Sequence, residues 1–289
     1  MATTVATTQP RALGLPLRAP RRTPAIGALL TLAGRRAALT AHTPRQIAVP
    51  LLGPILLALV LAPALSSALG GLRSHIDYSA FVAIGAVGLL VPLSCVFAGL
   101  SVVVDRHAGA QRELLAAPVS RALLVLGNLV VATLLAALQV AVLLPLAALR
   151  GAHFEITATG MAWFLAVTLL FTVVMYALSE ILASRVEKEE DYAGAIPVIA
   201  ILPFFFGGAL YPISVLPGAL AAVAKLLPIT HALALMRYGL LDHRGTGLHE
   251  IWGLSNTTTE AWLSFAVVLV FAGALLALAV RAFSRRAVS

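Results

Sequence analysis

Between two long apolar runs, the segment Asp105–Arg121 sets charges of both signs around a leucine pair. Asp105, Arg106, Arg112, Glu113 and Arg121 are the charges, and Leu114 and Leu115 are the apolar contact. Gly109 permits a turn, Ala110–Ala117 can form a short helix, and Pro118 ends it. Ser120 can then cap the next helix. An exposed apolar pair flanked by charges suits docking to a soluble partner, although a merely hydrated basic loop has the same composition. A second charged segment, Glu187, Glu189, Glu190 and Asp191, offers either a further electrostatic contact or a solvated acidic loop. Within an apolar run, Glu180 is the one ionisable residue that qualifies as intramembrane charge. It stands near the end of that run, where it can reach water or pair with a base such as Arg185, and this argues against a central proton relay.

Aromatic side chains gather in a different place. Phe204, Phe205, Phe206 and Tyr211 lie in a run that continues through Pro212, Ile213, Leu216 and Pro217. Rings at the end of an apolar span form an ordinary interfacial belt and can also wall a path for a lipophilic molecule. Asn128 and Gln139 are rare polar groups in another apolar run and complete the candidate path lining. No G-x-x-x-x-G-K-[ST], H-E-x-x-H or G-x-S-x-G occurs, so the phosphate-loop, zincin and serine-elbow chemistries have no anchor in this sequence. His243 and His249 stand six residues apart across Gly245 and Gly247, which matches no common metal-ligand spacing. No metal site and no catalytic residue are expected.

The elements that must carry these residues are apolar helices. Of the 289 residues 60% are hydrophobic and 11% charged, too few charges to clothe a water-exposed globule of this size. The single cysteine, Cys95, excludes an intrachain disulfide framework. Six stretches are long enough to span a bilayer: Ile47–Leu69, Ala80–Val104, Ala122–Leu149, Met161–Leu182, Tyr192–Ile213 and Ala261–Phe283. Strand-period alternation is absent, and the expected fold is an all-α membrane protein with six transmembrane helices. With the N-terminus inside, fifteen of the twenty Lys and Arg fall in cytoplasmic segments, so both termini are placed in the cytoplasm. The net charge of +8 is concentrated before the first span, which points to membrane orientation and anionic lipid rather than to nucleic acid.

Residues 1–22 read as a disordered basic tail. Thr23 and Pro24 can start a helix in which Ile26, Leu29, Leu30, Ala33 and Ala37 recur at helical spacing opposite Arg35. That pattern predicts an N-terminal amphipathic helix in the cytoplasmic interface over 23–46, before a six-helix domain at 47–283 and a cytoplasmic tail at 284–289. Between spans five and six, Pro217, Lys225, Pro228 and Arg237 break an apolar stretch. Two short re-entrant helices, near Gly218–Leu227 and His231–Leu241, are expected there, covered by protein or lining a cavity.

Taken together, these segments resemble the permease subunits of ABC-2 type exporters, particularly the daunorubicin-resistance-type drug efflux branch. The likeness rests on Asp105, Arg106, Gly109, Arg112, Leu114, Leu115, Pro118, Ser120 and Arg121 in the loop. It rests further on Phe206, Gly208, Tyr211, Pro212, Ile213, Leu216, Pro217, Pro228 and Arg237 in the second segment. A Gly at position 207, where many members have Ser or Thr, and the arginine-rich tail are departures. The resemblance implies a dimer of permeases in a bacterial plasma membrane, served by two cytoplasmic ABC ATPase subunits that bind ATP and Mg. It makes residues 23–39 a connecting helix, Asp105–Pro118 a coupling helix that inserts into the ATPase, and Ser214–Leu241 the outer re-entrant pair. The competing expectation is a non-ABC secondary carrier or a structural membrane assembly subunit. A carrier calls for midplane charges or paired broken spans, and neither stands out in the sequence.

Overall fold

The computed structural model describes residues 25–64, 77–110, 114 and 119–286. Every regular element among them is helical. Four helices are long and apolar enough to cross a membrane. These are α3 (Tyr78–His107), α4 (Arg121–Leu149), α5 (Ala158–Arg185) and α10 (Thr257–Arg286), numbered in chain order with the shorter helices below. They coincide with the second, third, fourth and sixth expected spans.

The first and fifth expected spans are also helical, but each is widened. Helix α2 (Pro44–Leu56) runs on through a π-helical turn, Leu57–Leu61. Helix α6 (Glu189–Ile196) passes through a π-helical turn, Pro197–Ile201, into Leu202–Phe206. Both π turns contain the residue four before a proline, Leu59 before Pro63 and Ile199 before Pro203. Proline donates no N–H to that carbonyl and its ring crowds it, so the helical ladder slips to a wider spacing there. Residues 65–69 of the first expected span lie outside the described residues.

Local chemistry sets the helix starts. Asp77 accepts from the backbone N–H groups of Ser79 and Ala80 at 2.9 and 3.2 Å, capping α3. Its other oxygen accepts from His153 N at 2.7 Å, which ties the loop after α4 to the start of α3. Thr157 caps α5 through Gly160 N. Three acids, Glu189, Glu190 and Asp191, occupy the first turn of α6, where the helix dipole favours them. Ser120 stands at the cap position of α4 with extended backbone, although its side chain makes no capping bond.

Helix α5 is the centre of the molecule, packed against α3, α10 and α8 (Pro228–Leu240). Its Phe164, Phe171 and Tyr176 are buried. Close approach between α5 and α8 depends on a facing glycine pair. A Cβ on Gly160 would lie 2.0 Å from Gly239 O, and one on Gly239 would lie 2.5 Å from Gly160 O. Trp163 of α5 stacks edge-on against Trp262 and Phe265 of α10 and Tyr238 of α8, with ring centroids 5.0 to 6.2 Å apart. Outside this core, Leu134, Leu138, Leu165, Val270 and Leu278 are exposed. An apolar outer surface of this kind is the pattern of helices solvated by lipid.

The N-terminal helix α1 (Ala25–Ala41) is present, with a different inner face from the expected stripe. Ala28, Ala33, Arg36 and Thr40 are buried, while Ile26, Leu30 and Ala37 are exposed. Arg36 turns inward because a carboxylate on α3 meets it there. Residues 1–24, including the proposed cap Thr23, lie outside the described residues. After α6 come α7 (Gly218–Ala224) and α8, bent by 79° relative to each other, at the positions of the two short helices expected near Gly218–Leu227 and His231–Leu241. Pro228 opens the second of them. A further short helix, α9 (Thr246–Trp252), leads into α10.

Candidate functional site

The charged segment after α3 is fastened at both feet to other helices. At its first foot, Arg36 Nη1 of α1 donates to Asp105 Oδ2 at 2.5 Å. Next to it, Arg106 donates to Ala183 O at 2.9 Å and to Val186 O at 2.6 Å. Those carbonyls belong to the last turn and C-cap of α5, where a cation satisfies orphaned acceptors and complements the helix dipole. His107 Nδ1 lies 3.5 Å from Glu189 Oε1 at the start of α6. At the second foot, Arg121 Nη1 donates to Ser284 O of α10 at 2.8 Å.

Leu114, half-buried, packs between these feet and joins Leu32, Arg36, Asp105, Leu124 and Phe283 around a cavity of about 40 Å³. Gly109 adopts φ +78°, the turn expected of it. Arg112, Glu113 and Leu115 lie outside the described residues. The arrangement ties one segment to three helices. Asp105, Arg106 and Arg121 are each engaged by a different helix of the same chain, so displacement of the loop would load α1, α5 and α10 together.

The expectation for Glu180 needs correction. Rather than reaching water or pairing with Arg185, it is fully buried. Tyr176, one turn earlier on α5, donates to Glu180 Oε2 at 2.9 Å. Among the described residues Oε1 has no hydrogen-bond partner. Arg36 and Arg106 lie near enough to act on it electrostatically. A carboxylate behind the two arginine contacts therefore belongs to the same cluster.

The aromatic segment forms the helical piece Leu202–Phe206 that continues α6, and the turn that follows it. Phe204 is buried and packs edge-on against Phe205, with centroids 5.3 Å apart. Phe205 is largely exposed, and Phe206 and Tyr211 are intermediate. Tyr211 donates to Phe205 O at 2.8 Å, folding the turn back on the helix. The two polar residues of α4 are elsewhere. Gln139 is buried and accepts from Ser94 of α3. Asn128 borders the small inner cavities beside Arg36. The aromatics and these polar groups are thus not gathered at one place.

Arg237 of α8 organises the turn after Phe206. It donates to Gly208 O at 2.9 Å and Ala209 O at 2.8 Å, and its guanidinium sits 3.4 Å from the centroid of the Phe81 ring on α3. A Cβ on Gly85 would come within 2.0 Å of Ala209 O, so α3 and this turn are in backbone contact. The planar fork of arginine matches two adjacent carbonyls in a way a lysine ammonium does not.

Sequence reasoning missed the inward role of Arg36 and the buried Tyr176–Glu180 pair. For Arg36, the signal was an arginine interrupting an apolar stretch one residue from the face assigned to solvent. For Tyr176, it was a hydroxyl four residues before an intramembrane carboxylate, on the same helical face.

Residues 27–241 match the family described as ABC-2 type transporter. The chain is similar to the inner membrane transport permease YadH of Escherichia coli strain K12, with 28% identity over 92 residues. The permease of the same name from Shigella flexneri matches equally. The match covers 32% of this chain and spans 36% of the length of those relatives. With four helices fit to cross a bilayer, a charged segment tied to three other helices and a family match over most of its length, this chain is a multi-pass membrane protein of the ABC-2 type transporter family.

Proposed function

We propose that the chain is the transmembrane permease subunit of an ATP-driven exporter in a bacterial cell membrane, moving a lipophilic drug, antibiotic or lipid outward, as in the daunorubicin-resistance-type branch. In this reading α2 and α6 complete six spans, both termini are cytoplasmic, and α1 lies in the inner interface as a connecting helix. The bent pair α7–α8 re-enters the outer leaflet. Two permeases, identical or different, assemble with two cytoplasmic ATPase subunits. ATP and Mg are bound by those partners, and this chain supplies coupling and path lining rather than catalysis.

The observation that carries the reading is the three-way fastening of the loop by Asp105, Arg106 and Arg121. Closure of the ATPase dimer pushes the segment around Arg112, Glu113, Leu114 and Leu115. The load passes through Asp105 to α1, through Arg106 to α5 and through Arg121 to α10. Their movement rocks the permeases and opens a path toward the outer vestibule beside Phe205 and Tyr211. A rigid link of this kind transmits force only while its hydrogen bonds hold, which is why they are part-buried rather than exposed surface pairs.

The test is co-reconstitution with the ATPase partner. Arg112→Ala and Glu113→Ala should abolish export and partner-stimulated ATP hydrolysis while leaving membrane insertion intact. Survival of both activities would remove the coupling role from this loop.

A further inference from the structure

A cavity beside Arg237 plays no part in this mechanism. It encloses about 180 Å³ between α8, α9, the first turn of α3 and the turn at 207–213. Several waters fit there, since one takes about 30 Å³ of the liquid. The volume is nevertheless below the range of about 300–1,000 Å³ usual for drug-sized ligands. Its size suits a small solute or the head of a larger molecule.

Its walls carry charge of both signs. Arg237 and Glu250 line it, and among the described residues neither has an ion-pair partner. They act on each other only at longer range. Arg237 spends its two Nη groups on Gly208 O and Ala209 O, while its Nε is buried without a hydrogen-bond partner among the described residues. Thr230, 3% exposed, also lines the cavity, and its hydroxyl likewise has no partner there. Glu250 Oε1 accepts from Ser214 at 2.8 Å, which leaves Oε2 open. Asp242 adds a second negative charge to the wall, with its oxygens already accepting from Arg244 N at 3.1 Å and Thr246 N at 2.8 Å. Folded chains rarely leave buried polar groups idle, so this set calls for a partner.

The idle groups define the chemistry of that partner. Arg237 Nε and the Thr230 hydroxyl call for acceptor oxygens and negative charge, whereas Glu250, reinforced by Asp242, calls for a cationic donor. Thr230 and Arg237 stand seven residues apart on one helix, about 10 Å along its axis at 1.5 Å per residue. Acceptors spread along a phosphate diester suit that separation better than the two oxygens of one carboxylate. Water alone would satisfy the donors but leave both charges uncompensated. We propose that this cavity binds a zwitterion in which a primary ammonium is joined to a phosphate diester, with the ammonium on Glu250 and the phosphate oxygens on Arg237 and Thr230. The same chemistry can arrive as the head of an aminophospholipid or as a free glycerophosphodiester.

The test uses the full chain purified in mild detergent. Calorimetric titration with glycerophosphoethanolamine reads the free form. Native mass spectrometry after exposure to mixed phosphatidylethanolamine and phosphatidylglycerol reads the lipid form. A saturable site, one per chain, is expected, with preference for the ethanolamine compound over its glycerol counterpart in the same arm. Glu250→Gln keeps an acceptor for Ser214 but removes the charge, and should weaken binding about tenfold with helix content unchanged. Thr230→Val should weaken it less, and Glu155→Gln, an exposed carboxylate outside the cavity, should leave it unchanged. Binding of the free diester shows that the head alone suffices, and retention of the lipid without it assigns the site to the aminophospholipid. Absence of saturable binding in both arms overturns the proposal. So does equal affinity for the glycerol counterpart, or equal binding by wild type and Glu250→Gln. This readout needs no ATPase partner, so failure of the exporter reading leaves it standing.

Discussion

The Arg36–Asp105 pair joins α1 to the root of the charged loop after α3, and its strength sets how firmly the two move together. The atoms are 2.5 Å apart, with side chains 10% and 26% exposed. At an effective dielectric of about 20, the direct attraction at that separation is about 7 kcal/mol. Desolvation of both groups offsets most of it, and the remaining exposure of Asp105 lowers it further. Removing one partner is then expected to cost about 2 kcal/mol, in the range for a charge-assisted hydrogen bond, or about 30-fold in the folding equilibrium. Arg36→Gln and Asp105→Asn should each show this loss in detergent-titrated unfolding followed by helical circular dichroism. The double variant should cost little more than either single one, giving a coupling energy of about 1–2 kcal/mol. Partner-stimulated ATP hydrolysis should fall in all three variants while the ATPase still binds. Additive single losses, with coupling below about 0.5 kcal/mol, would refute the claim that the pair is a mechanical link.

Three further outcomes follow from the packing. Tyr176→Phe removes the donor to a fully buried carboxylate and should destabilise the chain by about 1–3 kcal/mol. Adding Glu180→Gln should recover part of that loss in the same unfolding titration, because a neutral amide is cheaper to leave half-satisfied. Gly160→Ala places a Cβ 2.0 Å from backbone at Gly239, and forcing α5 and α8 apart should cost at least about 1–3 kcal/mol and lower the melting temperature. Arg237→Lys keeps the charge but loses the fork on Gly208 and Ala209. Limited proteolysis at 207–217 should accelerate several-fold relative to wild type, with the helix content unchanged.

Much of the frame was legible because apolar length and turn chemistry are local properties. Ser120 and the prolines at 217 and 228 mark boundaries that the structure respects, and four spans fall where hydropathy places them. The shapes of α2 and α6 were harder to read. Pro63 and Pro203 each sit in a run whose hydropathy alone reads as an unbroken span, and the π turns appear only once the backbone ladder is traced.

The site residues divide in the same way. The charges of the loop could be named from sequence, since charges between apolar spans stand out. Their partners could not, because Ala183 O, Val186 O and Ser284 O are backbone atoms far along the chain. Arg36 illustrates the point most clearly. Amphipathic spacing assigned the helix an apolar inner stripe, but one carboxylate on α3 was enough to rotate an arginine inward. Glu180 was read by depth alone, and depth says nothing of a tyrosine one turn away.

Whether this chain works through a separate ATPase is tested most directly by purifying the tagged chain from its native membrane in mild detergent and identifying what accompanies it by mass. The account predicts a near-stoichiometric soluble subunit carrying a phosphate-loop motif, whose ATP hydrolysis is stimulated by the intact chain and not by the Arg112→Ala variant. An intact, monodisperse chain that reproducibly carries no such subunit would contradict it and favour a carrier or an assembly subunit.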